Sequence, residues 1–342
     1  MKKHLWVFFI GAPLLAIFLA SIKVYYTIAI WKYEGEDRQF KVNPGEAFSR
    51  INYRLKKEDL IPSSKLFHRY CQAQGLMTKF KAGNYLIKSQ STMLDTIETL
   101  TKGVSITTSV TIPEGKNLYE IATILEQKKI TKAKDFVKLA KDPMLTKKLG
   151  VDGTSLEGYL YPNTYNFTEK SPAKVVLKTM VNEFNKRVDA LNFGGSKLNK
   201  KEVVILASIV EKETGAKHER PRIAGVFHNR LKKRMRLQSD PTTIYGIWEN
   251  FNGNLRKKHL LEKTPYNTYK IGGLPIGPIS NPGLESIKAV LSPEKHEFLY
   301  FVSKNDGTHI FSKNYKDHRK AVNDFQKNSA ARKNKSWRDL KQ

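Results

Sequence analysis

Residues 206–246 read LASIVEKETGAKHERPRIAGVFHNRLKKRMRLQSDPTTIYG. An apolar helical run that begins near Val203 ends in two carboxylates, Glu211 and Glu213. Pro221 is expected to close that segment, and a second helix is predicted over 223–231, with Val226, Phe227 and Leu231 on one stripe. The polar stretch beyond it holds Asn229, Arg230, Gln238, Ser239, Asp240, Thr242, Thr243 and Tyr245, groups able to hold a polyhydroxyl ligand. A carboxylic acid at the edge of an apolar surface is a candidate general acid, because desolvation disfavours its charged form and keeps a proton available near neutral pH. Helix geometry separates the two glutamates. At ~100° per residue, Glu213 lies roughly 50° from the mean direction of the apolar residues 203–210 and Glu211 roughly 110° from it. Glu213 is therefore the better half-buried acid, and Glu211 and Lys212 read as a solvated flank. On that reading Glu213→Gln removes activity and Glu211→Gln largely retains it.

Outward toward the N-terminus, residues 5–22 (LWVFFIGAPLLAIFLASI) form an uncharged run of eighteen. That length begins a membrane span, with Lys23 able to reach the interface. Lys2 and Lys3 precede it. The positive-inside tendency keeps a four-residue end (1–4) in the cytoplasm, with an anchor at 5–25 and the rest of the chain outside the cell (inner) membrane. The residues around Ala20-Ser21 make a poor cleavage context for a signal peptide.

The chain has 342 residues, a net charge of +28 and a single cysteine, Cys71, so no disulfide can close within it. The charge favours polyanionic surroundings. The anchor places that basic mass outside the cytoplasm, which argues for an anionic envelope and against nucleic acid. The basic tail, 326–342, is polar and expected to fray.

Residues 26–40 are expected as a linker. A repeat with an offset of seventy residues follows: Pro44-Gly45 aligns with Glu114-Gly115, Phe48 with Leu118, Ile51 with Ile121, Leu55 with Leu125, and Leu60 with Ile130. In each copy a strand ending in a Gly turn leads to a helix. Residues 83–87 read as a strand and 92–101 as a helix. The second copy, TIPEGKNLYEIATIL, resembles the start of LysM modules, which bind N-acetylglucosamine polymers. The expected fold is therefore α+β: an N-terminal transmembrane helix, a LysM-like α/β module over 41–150, and a mixed α+β domain over 151–325. That last domain opens with EGYLYPNTY (157–165) and a helix over 174–191. Residues 264–283, with four glycines and four prolines, read as a loop lining a site. A helix begins at Leu284, and strands at 298–302 and 309–311 flank an Asp306-Gly307 hairpin.

No HExxH, CxxC pair, GxSxG, GxGxxG or P-loop occurs, and no metal or cofactor is expected. The eight histidines are scattered, and His309 and His318 read as surface or packing residues. What remains is carboxylate chemistry in a tyrosine- and amide-lined cleft, which suits glycosidic bonds.

Residues 206–246, EGYLYPNTY, TPYNTY and GLPIGPISNPG, in that set, resemble the MltG-type (YceG-like) endolytic murein transglycosylases, from the anchor to about residue 325. The GLPIGPI loop departs from the pattern at Ile276, where a second proline is common. The resemblance implies cleavage of nascent peptidoglycan between N-acetylmuramic acid and N-acetylglucosamine, leaving a 1,6-anhydro end, and a place among cell-wall synthases. It maps the catalytic acid, then base, onto Glu213. Gln238, Asn267 and Asn281 are expected to hydrogen-bond sugar groups, Tyr245, Tyr266 and Tyr269 to border sugar rings, and Asp240 to orient a hydroxyl or support a developing charge. Three rivals stay open at this point: a hydrolase pairing Glu213 with Asp240 or Glu157, a non-catalytic anchor that only binds peptidoglycan, and a cytosolic nucleic-acid binder, which would need residues 5–22 to be a core helix.

Overall fold

A computed structural model of the chain describes residues 11–103, 106–213 and 215–327. The expected cytoplasmic end, the start of the anchor and most of the basic tail lie outside the described residues. The chain divides into two compact units, one up to Thr108 and one from Ser109.

In the first unit, helix α1 (Ala12–Tyr25) continues through a wider π-helical turn, Tyr26–Ile30. Ala12–Ile30 is long and apolar enough to cross a membrane, and none of it is buried within the protein. Leu14, Leu15, Ile17, Phe18 and Leu19 all stand exposed, an arrangement that water penalises and a bilayer does not. The linker expected at 26–40 is instead folded. Ile28 and Trp31 rest against the unit's core, Tyr33 is buried and exchanges backbone hydrogen bonds with Gln90 and Ser91, and strand β1 (Arg38–Val42) begins within the range. Polarity misled here, because pairing with a neighbour satisfies the backbone however polar the outward side chains are.

Helices α2 (Phe48–Lys57) and α3 (Ser64–Ala73) follow, then strand β2 (Gly83–Ile87) and helix α4 (Met93–Thr101). β1 and β2 pair antiparallel with Phe40 opposite Tyr85. Ser63 caps α3, and Thr92 and Asp95 close a reciprocal capping box on α4. Phe40, Leu55, Phe67, Cys71, Tyr85 and Leu100 fill the core. Burial pushes the Cys71 thiol up to about 12, so it behaves as a small hydrophobe rather than a nucleophile.

The second unit opens with strand β3 (Thr108–Thr111), helices α5 (Leu118–Gln127), α6 (Ala133–Ala140) and α7 (Pro143–Lys148), and strand β4 (Thr164–Phe167), which pairs with β3. The seventy-residue offset is kept in three dimensions. α5 starts and ends seventy positions after α2. Gly45 and Gly115 carry φ of 75° and 76°, and Asp59 and Lys129, each just past its helix, carry 53° and 57°. Leu60 and Ile130 each donate a backbone hydrogen bond of 2.9 Å to the carbonyl five residues back, on Leu55 and Leu125. The division at Thr108 sends the second copy into the second unit, so residues 41–150 do not form one body. Its apolar residues, Leu118, Ile121, Leu125 and Ile130, belong to a core shared with the helices downstream.

Those helices are α8 (Ala173–Val188), α9 (Lys200–Glu213), α10 (Arg220–Lys232), α11 (Asp240–Gly246), α12 (Lys257–Leu261) and α13 (Leu284–Leu291). Strands β5 (Tyr300–Ser303) and β6 (His309–Ser312) form an antiparallel hairpin, and α14 (Tyr315–Val322) follows. Pro221 starts α10 rather than ending the previous segment, since its missing N–H falls in a first turn that has no intrahelical acceptor for it. α9 is the hub. Every residue from Val203 to Val210 is buried, so the helix is enclosed on all sides rather than along one stripe. The 273–283 loop straps onto it: Ile279 N–H donates to Ser208 Oγ at 3.0 Å, and Ser280 Oγ donates to the Ser208 carbonyl at 3.1 Å.

Candidate active site

The C-terminal turn of α9 delivers Glu211 and Glu213 to different surroundings. The Glu211 side chain is 6% exposed. Arg220 Nη2 lies 2.8 Å from Glu211 Oε1 and 3.1 Å from Glu114 Oε2. Glu211 Oε2 accepts from Gly283 N–H at 3.0 Å and from Ser286 Oγ at 2.7 Å, at the N-terminal end of α13, where a carboxylate complements the helix dipole. A Cβ on Gly283 would meet Glu114 Oε1, so a side chain there would have to displace the carboxylate that Glu114 offers to Arg220. Glu211 is thus a buried structural tie, and the solvated flank expected from the helical wheel is corrected. The wheel presumes one apolar face, and α9 has none because protein surrounds it.

Glu213 is half-buried and opens into a cleft of about 350 Å³ with Arg230, Gln238, Asp240, Tyr269, Tyr300, Tyr315 and His318 among its walls. Ser239 Oγ donates to Glu213 Oε1 at 2.5 Å. Burial pushes the Glu213 carboxyl up to about 7; the Ser239 hydrogen bond pulls down, the Asp240 carboxylate adds to the rise, and the Arg230 guanidinium opposes it. Arg230 is itself buried and held by the carbonyls of Leu299 (2.6 Å) and Leu237 (2.7 Å), with its guanidinium over the Tyr300 ring. It therefore joins α10 to the β5–β6 hairpin and presents fixed positive charge to the cleft. The hairpin is also held by Glu219, whose Oε2 lies 2.7 Å from His309 Nδ1.

The expected sugar-binding residues separate into three groups. Gln238, Asp240 and Tyr269 line the Glu213 cleft, and Tyr269 OH donates to Asp240 Oδ1 at 2.7 Å. Tyr245 and Tyr266 line a second cleft, described below. Asn267 and Asn281 are corrected: both are fully buried and spend their amides on the protein. Asn267 Nδ2 donates to the carbonyls of His259, Leu260 and Glu262, and its Oδ1 accepts from Thr243 Oγ1. Asn281 Oδ1 accepts from Leu160 N–H at 2.8 Å, and its Nδ2 donates to the Lys116 carbonyl and to Glu157 Oε1. A loop of this kind has few internal backbone partners, so buried amides supply them.

Glu157 is also fully buried. It accepts from Leu118 N–H (3.0 Å), Tyr245 OH (2.9 Å) and Asn281 Nδ2 (2.8 Å), and burial pushes its carboxyl up to about 7. With both oxygens committed it cannot activate a water, which removes it as the second member of a hydrolytic pair. Arg230 lines the cleft and Ser239 touches Glu213, both named above as groups able to hold a ligand, whereas Tyr300 and His318 had no expected place in a site. Ser239 and Arg230 stand within the quoted stretch. Tyr300 and His318 come from the hairpin and α14 and carry no local signal, because only the folding back of β5 and α14 brings them to the end of α9. His318 packs as expected, its ring stacked on Tyr300 with centroids 5.1 Å apart, and its buried Nδ1 has no hydrogen-bond partner among the described residues.

α11 and the 264–269 loop run side by side in opposite directions. Tyr269 meets Asp240; Thr268 Oγ1 and Thr242 Oγ1 lie 2.8 Å apart; Thr243 bonds Asn267 at 3.0 Å; and the rings of Tyr266 and Tyr245 sit edge-on with centroids 4.8 Å apart. A Cβ on Gly246 would fall 2.3 Å from Thr264 Oγ1, so glycine closes the register. The two segments form a ledge with Glu213 at its Asp240 end.

A family model described as the YceG-like family matches residues 40–324. The chain belongs to this family. It is 35% identical over 295 residues to an endolytic murein transglycosylase of Bacillus subtilis, covering 81% of each chain. It is 29% identical over 311 residues to an endolytic murein transglycosylase of Streptococcus pneumoniae, of whose length it spans 56%. Its fold is similar to the crystal structure of a yceG-like protein from Listeria monocytogenes, with a TM-score of 0.58 and 31% identity, covering 84% of this chain and 99% of that one. In this YceG-like chain the half-buried Glu213 carboxyl faces the cleft with its ionised form disfavoured by burial.

Proposed function

We propose that this protein is a membrane-anchored endolytic murein transglycosylase that cuts the bond between N-acetylmuramic acid and N-acetylglucosamine in peptidoglycan. The observation that carries the reading is Glu213, a carboxyl raised to about 7 at the wall of a polar and aromatic cleft, in a chain similar to proteins of that name. Protonated Glu213 gives its proton to the glycosidic oxygen as the C1–O bond breaks. As glutamate it then takes the proton of the muramoyl C6 hydroxyl, whose oxygen bonds to C1 and closes the 1,6-anhydro ring. No water is consumed, and one carboxyl serves as acid and then base. The bound strand supplies its own nucleophile at high effective concentration, so no second carboxylate is needed. Arg230 sits where a developing negative charge would be stabilised, and Gln238, Asp240 and Tyr269 stand where they can hold the sugars. Tyr245 and Tyr266 would border the strand farther along.

We assign the start of the chain to the cytoplasm and everything that follows the apolar helix to the outer side of the cell membrane, on the charge of Lys2 and Lys3. A LysM-like glycan-binding role for the repeats, and a place beside cell-wall synthases, belong to the same reading. The strand–helix–helix–strand order of the first unit supports the former. The test is digestion of purified glycan strands with wild type and Glu213→Gln, followed by mass spectrometry. Anhydro ends from wild type and none from the variant are expected. Reducing muramic ends would mean hydrolysis, with Asp240 as the partner carboxylate. An active Glu213→Gln would remove the assignment.

A further inference from the structure

The ledge formed by α11 and the 264–269 loop has a second end, and that end is also a cleft. It has a volume of about 370 Å³ and is lined by Tyr119, Lys141, Ser155, Tyr245, Trp248 and Tyr266. Tyr119 comes from α5 of the second repeat and Lys141 from the end of α6; Tyr245 and Trp248 come from α11 and the turn after it. The rings of Tyr119 and Trp248 lie nearly parallel, with centroids 6.0 Å apart and planes 16° apart. Their rim is held in place. Glu249 Oε1 accepts from both Tyr119 OH and Lys141 Nζ at 3.2 Å, and Lys141 Nζ sits over the Tyr119 ring at 4.7 Å. Beneath them, Glu157 binds Tyr245 OH and Leu118 N–H at once, so one buried carboxylate fixes the first turn of α5 and the tyrosine of α11 together.

This chemistry selects its ligand. Aromatic faces suit the C–H face of a pyranose, while Ser155 and the Lys141–Glu249 pair offer hydrogen bonds to its hydroxyl or N-acetyl groups. Glu249 neutralises Lys141, which leaves no net positive charge for a phosphate or a nucleic acid. The position along α11 matters as much. Asp240, Pro241, Ile244 and Tyr245 form the unburied face of α11, while Thr242 and Thr243 point inward. Asp240 and Tyr245 are separated by roughly 8 Å at 1.5 Å per residue, a span comparable to a disaccharide.

We infer that the Tyr119–Trp248 cleft is a distal glycan subsite that holds an N-acetylhexosamine unit of the same strand whose scissile bond lies over Glu213. The inference rests on the proposed function and deepens it. A strand must continue past the cut bond to fill both clefts, so the second repeat, built into the catalytic unit, selects for cutting within long strands.

Two measurements on the full-length protein in detergent test this. In the first, the Glu213→Gln protein is titrated with chitohexaose and followed by tryptophan fluorescence. A saturable change that disappears in Glu213→Gln/Trp248→Phe is expected; the same response without Trp248, or none with it, overturns the subsite. In the second, kcat/KM is compared for long and short peptide-free glycan strands. Trp248→Ala and Tyr119→Ala should each lower the long-to-short ratio by about tenfold, through KM rather than kcat. An unchanged ratio in variants that melt like wild type overturns it. Lys141→Ala, which leaves both rings in place, should weaken chitohexaose binding severalfold and guards against misfolding of the aromatic variants. If wild type fails to cleave while Trp248 still reports chitohexaose, the reaction assignment falls and the subsite stands.

Discussion

Glu213 has to be uncomfortable to be useful. Its carboxyl is raised from the ordinary value of 4.5 to about 7, chiefly by burial, so the folded state binds its proton more tightly than the unfolded chain does. That stabilising protonation is fully present below pH 4.5 and is lost as pH rises through about 7. Glu213→Gln, neutral at every pH, should therefore melt higher than wild type at pH 8, by about 2 kcal/mol or roughly 5 °C, with the gain shrinking toward pH 5. Calorimetry across that range checks it, and a gain independent of pH would contradict it. Ser239→Ala removes a hydrogen bond that favours the ionised carboxyl. The alkaline limb of the kcat/KM profile should then move to higher pH, with kcat down by roughly threefold to tenfold as the carboxyl loses its orientation. A shift to lower pH would reverse the assigned role of Ser239. The pair of carboxylates at the end of α9 was legible from a short stretch of sequence, because an apolar run ending in charge is a local pattern. Asn267 and Asn281 were not legible: a buried amide that serves loop carbonyls is the same residue, in the same kind of loop, as one that serves a sugar.

At the scale of elements, α9 shows why periodicity has limits. VVILASIV is apolar at every position but Ser208, and such a helix is enclosed rather than amphipathic, so the angular offset of a polar residue no longer reports exposure. Glu211 lies inside because Arg220 from α10 and the first turn of α13 reach it. Glu211→Gln would set an amide NH₂ against either the Arg220 guanidinium or the Gly283 and Ser286 donors. The expected cost is about 3 kcal/mol, a fall in melting temperature of roughly 6–10 °C. The two conservative substitutions, two residues apart, should thus move stability in opposite directions; a silent Glu211→Gln would show that the tie is dispensable. Most other elements were readable. The 83–87 strand, the helix after Thr92 and the Asp306-Gly307 hairpin follow from capping boxes, alternation and turn residues, which act over a few positions.

Among the described residues the buried apolar side chains form two clusters, one around Phe40, Phe67 and Tyr85, the other around α8 and α9. Unfolding should therefore show two calorimetric transitions rather than one. Phe67→Ala, which empties a fully buried site, should lower only one of them, by about 3–5 kcal/mol. A single transition that shifts as a body would show that the units melt together.

The repeat, the long apolar helix at the N-terminal end, the glycine turns and the carboxylates closing α9 were determined by sequence alone, since each arises from sterics or hydrophobic patterning within a few residues of chain. Tertiary structure decided which copy of the repeat joined which core, which glutamate met an arginine, and which amides faced a cleft. Those outcomes depend on groups such as Glu114, Glu211 and Gly283, or Glu157 and Asn281, that are distant in the chain and converge only when the helices pack. No pattern local to any one of them encodes the partner that satisfies it.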